Sequence, residues 1–125
     1  MTALIDTSVM IDVLRGQPDA VGVLQKRRRR GPLHACVLTR LEVLAGMRVN
    51  EEAATRSLLT SFTWHDVDDE LIERAGALGR RWLPSHGGIG AVDLAIAATA
   101  RRLDAELLTT NVRHFPMFPN LTAPY

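Results

Sequence analysis

Four polar residues lie at or just beyond the predicted ends of β-strands, and their side chains are of types that support metal chemistry. Asp6 directly follows the first predicted strand, and Glu42 lies in the first turn of the helix predicted after the second. Asp93 lies in the first turn of an apolar helix, and Asn111 follows the next strand. Carboxylates that lie close together repel unless a cation separates them or one holds a proton. A few carboxylates completed by water suit Mg²⁺ or Mn²⁺.

Each of these residues also has a purely structural interpretation. Asp6 could cap the following helix, and Asn111 is a common turn residue. Glu42 could be the acidic partner of Thr39 in a capping box, which is worth about 1 kcal/mol. Asp93 could offset the helix dipole, although the apolar residues around it indicate burial, and a buried acid requires a partner. The four residues converge only if the strands are parallel.

The elements that must position these residues alternate between strand and helix. Short apolar runs predict strands over residues 3–5, 33–38 and 106–109, a brief strand or extended turn over 62–67, and an edge strand near Leu121–Thr122. Helical spacing predicts helices over residues 9–14, 18–30, 39–47, 51–61, 69–83 and 91–103. This alternation predicts an α/β domain with a mostly parallel central sheet flanked by helices. Ligands of such sheets bind beyond the carboxyl ends of the strands.

Length and composition limit the class of protein. The chain has 125 residues, of which 46% are hydrophobic and 23% are charged, which predicts one folded domain over residues 1–125. A formal net charge of +1 argues against a strongly basic nucleic-acid-binding fold. The single cysteine, Cys36, excludes an intramolecular disulfide and predicts a buried thiol in a reducing cytoplasm. Neither a signal peptide nor an apolar run approaching the ~20 residues of a membrane span is visible.

Three segments of the sequence resemble the signature of the PIN-domain ribonucleases, in particular their VapC-type toxin members. The first is Asp6-Thr7-Ser8 after the first strand, and the second is TRLEVLAGM over residues 39–47. The third is AVDLAIAATARRLDAELLTTNVRHF over residues 91–115. The resemblance spans essentially the whole chain, and the combination of the three segments is far more specific than the first segment by itself.

The resemblance implies a PIN-like fold and a metal-dependent endoribonuclease. Asp6, Glu42 and Asp93 match the family acids that hold Mg²⁺ or Mn²⁺. Asn111 falls where many members have a fourth acid and others an asparagine, so we expect it to belong to the catalytic site but to weaken any second metal site. The implied reaction is attack of water on a phosphodiester of structured RNA, a tRNA or ribosomal RNA loop, giving a 5′-phosphate and a 3′-hydroxyl.

Hydroxyl groups next to the acids are expected to orient them. Thr7 and Ser8 match the hydroxyls that follow the first family acid, and Thr39 is assigned the same role. Ser8 is not expected to act as a nucleophile, because no motif supplies a histidine or lysine base. The resemblance also implies a homodimer and a small VapB-like antitoxin whose tail blocks the acidic groove, and no membrane partner is expected.

An acidic site that binds RNA needs basic residues around it. Arg15, Arg40 and Arg113 are predicted to contact RNA. The run Lys26–Arg30 is either an RNA contact or a solvated helix end. The wider set of candidates consists of Arg48, Arg80, Arg81, Arg101 and Arg102.

The remaining histidines and aromatic residues have structural interpretations. His86 and His114 are RNA contacts or simple loop residues, of which the second is favoured. Trp64 and Trp82 are predicted to be core residues. Asp68 is predicted to cap the fifth helix. One continuous apolar stripe on that helix is expected to face the core, consisting of Leu71, Ile72, Ala75, Leu78, Gly79, Trp82 and Leu83.

Two other functions compete with the nuclease. A receiver-like phosphoacceptor domain also gathers acids at the end of a parallel sheet, but it needs a lysine late in the chain, and the only lysine is Lys26. A catalytically weak or silent PIN-fold interaction module is the stronger alternative. The three acids favour the nuclease over this module, whereas Asn111 favours the module.

Overall fold

The centre of the fold is a four-stranded parallel β-sheet. The computed structural model describes residues 1–125, and its strands are β1 (Ala3–Ile5), β2 (Leu33–Cys36), β3 (Thr63–His65) and β4 (Glu106–Leu108). They lie in the order β3-β2-β1-β4, and every neighbouring pair is parallel. The predicted α/β class is therefore confirmed, and all four carboxyl ends lie at the same end of the sheet.

Six α-helices cover the two faces of this sheet. They are α1 (Thr7–Leu14), α2 (Pro18–Arg28), α3 (Val37–Ala45), α4 (Glu52–Leu59), α5 (Asp69–Trp82) and α6 (Ala91–Leu103). Residues of β1 alternate between the faces, so Leu4 packs with α5 and α6, whereas Ala3 and Ile5 pack with α1, α2 and α4. Both faces are covered, as a parallel sheet requires. None of the helices has the length and apolar character needed to cross a membrane.

Two of the helices begin directly at the ends of neighbouring strands. Asp6 is the only residue between β1 and α1, and Cys36 is both the last residue of β2 and the N-cap of α3. No loop separates these strands from their helices. Because β1 and β2 are adjacent and parallel, the first turns of α1 and α3 lie side by side at the carboxyl end of the sheet.

The start of α3 differs from the expectation. The predicted strand ran to Leu38 and the predicted helix began with a capping box at Thr39, but α3 begins at Val37. Thr39 is fully buried within the helix, and Glu42 lies in its second turn. Leu38 packs on the core from the helix, which favours the earlier start. The prediction of a capping box formed by Thr39 and Glu42 was therefore wrong. The predicted burial of Cys36 is confirmed.

The apolar stripe of α5 is narrower than predicted. Leu71 and Leu78 are buried, but Ile72 is 56% exposed and Leu83 is 45% exposed. Trp82 is only partly buried. Because the core covers only one side of the helix, residues that directly precede or follow the buried ones in the sequence face solvent.

The C-terminal segment forms no strand, so the edge strand expected near Leu121–Thr122 was wrong. Pro119 and Pro124 lack the N–H that a strand would donate. The end of the chain is held instead by Tyr125, whose hydroxyl donates to the Asp12 carboxylate on α1 (2.6 Å).

A histidine pair on β2 and β3 predicts acid-sensitive stability. His34 Nδ1 lies 2.8 Å from His65 Nε2. Burial of the ring, and then the nearby His34 and Arg102, lower the pKa of His65 below its usual value of 6.5, and Asp66 opposes them more weakly. The folded state therefore binds this proton less readily than the unfolded state. The unfolding free energy is at its full value above about pH 6.5 and falls as the pH drops toward the folded-state pKa.

We expect the substitution His65→Gln to remove much of the decrease in unfolding free energy between about pH 7 and pH 5. The glutamine amide can keep the contact with His34. Urea unfolding at a series of pH values measures the unfolding free energy of each variant, with His86→Gln as the matched control. Equal pH dependence in wild type and His65→Gln would show that His65 is not the group responsible.

Candidate active site

Asp6 lies at the carboxyl end of β1, where both its backbone and its side chain are held. Its N–H donates to the Leu108 carbonyl (2.9 Å), which extends the pairing of β1 with β4 by one residue. Asp6 is only 2% exposed. The Ser8 and Thr109 hydroxyls both donate to its Oδ2, at 2.8 and 2.7 Å. Neither bond uses Oδ1, which leaves that oxygen for a cation.

Thr7 connects the start of α1 to Glu42 on α3. The Thr7 hydroxyl donates to Glu42 Oε1 (2.6 Å) and contacts the Thr39 hydroxyl at 3.1 Å. Thr39 is fully buried and precedes Glu42 by three residues, so the two side chains share one face of α3. Two buried hydroxyls thereby hold the exposed Glu42 carboxylate beside the start of α1.

A second group of hydroxyls joins α1 to the segment after β4. The Ser8 hydroxyl lies 3.3 Å from Thr109 Oγ1 and accepts from the Thr110 N–H (3.1 Å). Thr109 Oγ1 also accepts from the Asn111 N–H (2.9 Å). Thr109 is absent from the site residues predicted from the sequence. It follows β4 as Asp6 follows β1, so the position of polar residues after strands is the signal that could have found it.

Asp93 lies in the first turn of α6, where it caps the helix and contacts a histidine. Its Oδ2 accepts from the Gly90 N–H (3.0 Å), a favourable position for an acid. The same oxygen lies 3.1 Å from His114 Nδ1, although the two atoms are not aligned for a hydrogen bond. His114, predicted to be a plain loop residue, belongs to the 3₁₀ helix Val112–His114. Its contact with Asp93 joins distant segments and leaves no local signal in the sequence.

The three acids have no lysine or arginine partner. The ion pairs of the structure join other carboxylates, apart from the contact of Asp93 with His114. As the side chains lie here, no three acidic, histidine or cysteine residues are close enough together to hold a metal ion. The hard oxygen donors of Asp6, Glu42 and Asp93 fit Mg²⁺ or Mn²⁺.

Comparison with known proteins identifies the family. The sequence matches the family described as PIN domain over residues 3–118, which includes every acid of the candidate site. The chain belongs to the PIN domain family. Ribonuclease VapC19 of Mycobacterium tuberculosis is 47% identical to this PIN domain over 123 residues, which is 98% of each chain. Ribonuclease VapC10 of the same organism is 41% identical over 122 residues, 98% of this chain and 92% of that protein.

The fold of this PIN domain is also similar to that of a solved protein. A chain of a toxin-antitoxin complex from Klebsiella pneumoniae superposes with a TM-score of 0.82 at 28% sequence identity, covering 99% of this chain and 98% of that chain. The similarity covers the whole sheet and all the helices described above.

Two predicted residues of this PIN domain follow β4 on the solvent side of the site. Asn111 is exposed, and only its backbone N–H contacts the site, through Thr109. Arg113 is exposed beside His114. The structure therefore places a free amide and a free guanidinium next to the contact between His114 and Asp93.

The other two predicted arginines contact residues outside the three acids. Arg15 is the C-cap of α1, at the opposite end of that helix from Asp6, and pairs with Glu51. The Arg40 guanidinium lies 5.1 Å from the centre of the Trp64 ring. Trp64 is partly buried, and its indole N–H donates to a main-chain carbonyl (2.9 Å).

The bonds made by Thr109 predict a stability effect. The substitution Thr109→Val keeps the shape of the side chain but removes the hydroxyl that donates to Asp6 and accepts from the Asn111 N–H. We expect the unfolding free energy to fall by about 1–3 kcal/mol, because buried polar groups lose their partner. Denaturant unfolding measures it.

The matched control is Thr55→Val. Thr55 Oγ1 is buried and has no hydrogen-bond partner, so its removal is expected to be neutral or stabilising. Equal destabilisation by both substitutions would contradict the role given to Thr109.

Proposed function

We propose that this protein is a metal-dependent endoribonuclease and the toxin of a VapBC-type toxin-antitoxin pair, which hydrolyses phosphodiester bonds in structured RNA (tRNA or rRNA) and so inhibits translation. The observation that carries the proposal is the Asp6 carboxylate directly after β1, with Glu42 held at the start of α1 by Thr7 and with no lysine or arginine paired to these two acids or to Asp93. The 47% identity to a ribonuclease over 98% of the chain supports the reaction class.

The acids and their hydroxyl partners have different roles at this site. Asp6, Glu42 and Asp93 would hold Mg²⁺ or Mn²⁺, which supplies the Lewis acidity that activates water and offsets charge on the phosphate. The Ser8 and Thr109 hydroxyls bond to Oδ2 of Asp6, so Oδ1 would remain available to the ion. The products would carry a 5′-phosphate and a 3′-hydroxyl.

Side chains near Asp93 set the charge on the solvent side of the site. Because the side chain of Asn111 is neutral, we propose one strongly held ion rather than two. Arg113 would contact the RNA backbone beside His114. Arg15 and Arg40 contact residues outside the three acids, so in this proposal they contact RNA only if the substrate extends over α1 or α3.

The proposal includes an antitoxin, a second copy of the chain, and a cytoplasmic location. The neighbour from Klebsiella pneumoniae was solved as a toxin-antitoxin complex, which supports a small VapB-like partner. One face of α5 exposes Ile72, Gly76 and Leu83, an apolar surface that supports a homodimer. The unpaired Cys36 suits a reducing compartment.

The substitutions Asp6→Asn and Asp93→Asn test the reaction. We expect the wild type to cleave RNA only with Mg²⁺ or Mn²⁺, cleavage to stop in EDTA, and each variant to lose at least about a hundredfold in rate, because each removes a negative ligand of the ion. Gel analysis of cleaved tRNA and rRNA measures it.

The control for this assay is Asp69→Asn, which changes an exposed acid in the first turn of α5 and leaves the site intact. Cooperative unfolding of each variant shows that it remains folded. Unchanged cleavage in Asp6→Asn or Asp93→Asn would refute the metal-site assignment.

Metal binding also has a readout that does not depend on cleavage. Mn²⁺ at about 100 times its dissociation constant stabilises the folded state by about 2.7 kcal/mol, so the wild-type melting temperature should rise by several degrees. Asp6→Asn should shift much less. A wild type that shifts with Mn²⁺ but cleaves no RNA would establish the silent PIN module instead, an alternative that the exposed Asn111 side chain favours.

A further inference from the structure

A groove between α5 and α6 combines arginines with an aromatic ring, and it lies outside the site described above. Its volume is about 530 Å³, and its lining combines Arg74, Arg81 and Arg101 with Trp82, one leucine and two alanines. We call it the α5/α6 groove. The Arg81 guanidinium lies 4.3 Å from the centre of the Trp82 ring. The surface thus offers both positive charge and flat faces.

The charges of this groove are largely free. Arg81 and Arg101 have no carboxylate partner, and Arg101 is oriented by donating to the Met117 carbonyl (3.1 Å). Arg74 pairs with Glu70 (2.7 Å) one turn earlier on the same exposed helix surface. Exposed pairs of this kind contribute little energy, so Arg74 can release its partner for a phosphate at small cost.

The α5/α6 groove continues toward the candidate active site. The Trp82 ring contacts the His86 ring edge-on, with 5.6 Å between ring centres. His86 lines a second groove of about 620 Å³ together with Arg113 and His114. His114 in turn contacts Asp93 at 3.1 Å. The second groove and the ring contact of His86 therefore connect the neighbourhood of Asp93 to Trp82.

A second contact joins the two grooves on their other side. The Arg101 guanidinium lies 5.8 Å from the centre of the Phe118 ring, and Phe118 lines the second groove. On α5 and its C-cap, Ile72 and Leu83 point about half a helical turn away from Arg74 and Arg81. A protein that covers the apolar face of α5 would therefore leave the α5/α6 groove open.

We propose that the α5/α6 groove binds single-stranded RNA on one side of the cleaved phosphodiester, as an extension of the active site. Arg74 and Arg101 contact phosphates, and a base stacks on the planar surface formed by Arg81 and Trp82. Basic grooves with aromatic and guanidinium faces are the means by which proteins hold unpaired RNA. An acidic protein segment would use the charges but not the stacking faces. The inference rests on the proposed function, because it assigns the substrate of the same site.

The double variant Arg74→Gln/Arg81→Gln tests the groove by binding alone. The probe is a fluorescently labelled single-stranded RNA of about 16 nucleotides, the upper site size of single-strand binding modules, in EDTA so that it is not cleaved. Anisotropy titrations at several KCl concentrations give the dependence of log K on log salt. We expect the slope of the double variant to be smaller than wild type by about 0.7, because it loses the one phosphate contact assigned to Arg74.

Arg80→Gln is the matched control, because Arg80 lies on the same helix beside Gly76 and outside the groove. It should keep the wild-type slope. A wild-type slope in the double variant would overturn the proposal, and so would an equal loss in Arg80→Gln.

Tryptophan emission locates the contact. In the Trp64→Phe background, Trp82 is the only tryptophan, and the same RNA is expected to quench its emission, with quenching lost in the added double variant. RNA binding without quenching would overturn the stacking assignment.

The outcomes for the groove and for the proposed function are distinguishable. A wild type that binds RNA as expected but cleaves none with Mn²⁺ refutes the nuclease and supports the groove. A wild type that cleaves RNA, combined with a wild-type slope in the double variant, supports the nuclease and refutes the groove. A double variant that keeps RNA binding but loses binding to an acidic protein would also refute the assignment of the α5/α6 groove to RNA.

Discussion

The Asp6 carboxylate is held at the end of the central strand by hydroxyls from Ser8 and Thr109, and the rest of the site is arranged around it. A nearly buried carboxylate is costly unless it is hydrogen-bonded, and each bond to a charged group contributes about 1.5–3 kcal/mol. Since β1 lies between β2 and β4, both neighbouring strands deliver residues to this point. The segment after β4 supplies Thr109, and the helix after β2 supplies Glu42 through Thr7.

The charged groups around this site are distributed unevenly. Asp6, Glu42 and Asp93 have no lysine or arginine partner, and Arg81, Arg101 and Arg113 on α5, α6 and the segment after β4 have no carboxylate partner. The net charge of +1 is a total over 15 basic and 14 acidic residues and does not show this local distribution. An RNA nuclease needs both acids and basic residues, because a metal ion offsets the acids at the cleaved phosphate and basic residues hold the rest of the polyanion. A near-neutral total is therefore compatible with binding to nucleic acid.

Local patterns in the sequence predicted the parallel sheet, the cap at Asp68, whose side chain accepts from the Leu71 N–H, and the place of Asp93 in the first turn of α6. They failed where tertiary packing decides the outcome. The capping box at Thr39 has the right residue types, but Leu38 packs on the core from an already helical position. The contact of His114 with Asp93 and the bonds of Thr109 join segments far apart in the chain, so no local pattern shows them.

The central claim is that the carboxyl end of the sheet is a divalent-metal site formed by Asp6, Glu42 and Asp93. A crystal structure of the wild type grown with Mn²⁺, with anomalous scattering recorded near the manganese edge, tests it most directly. The account predicts one strong anomalous peak bound by Asp6 and Asp93, with Glu42 directed toward it by Thr7. A map with no peak there, or with the only peak at the His34–His65 pair, would contradict the account.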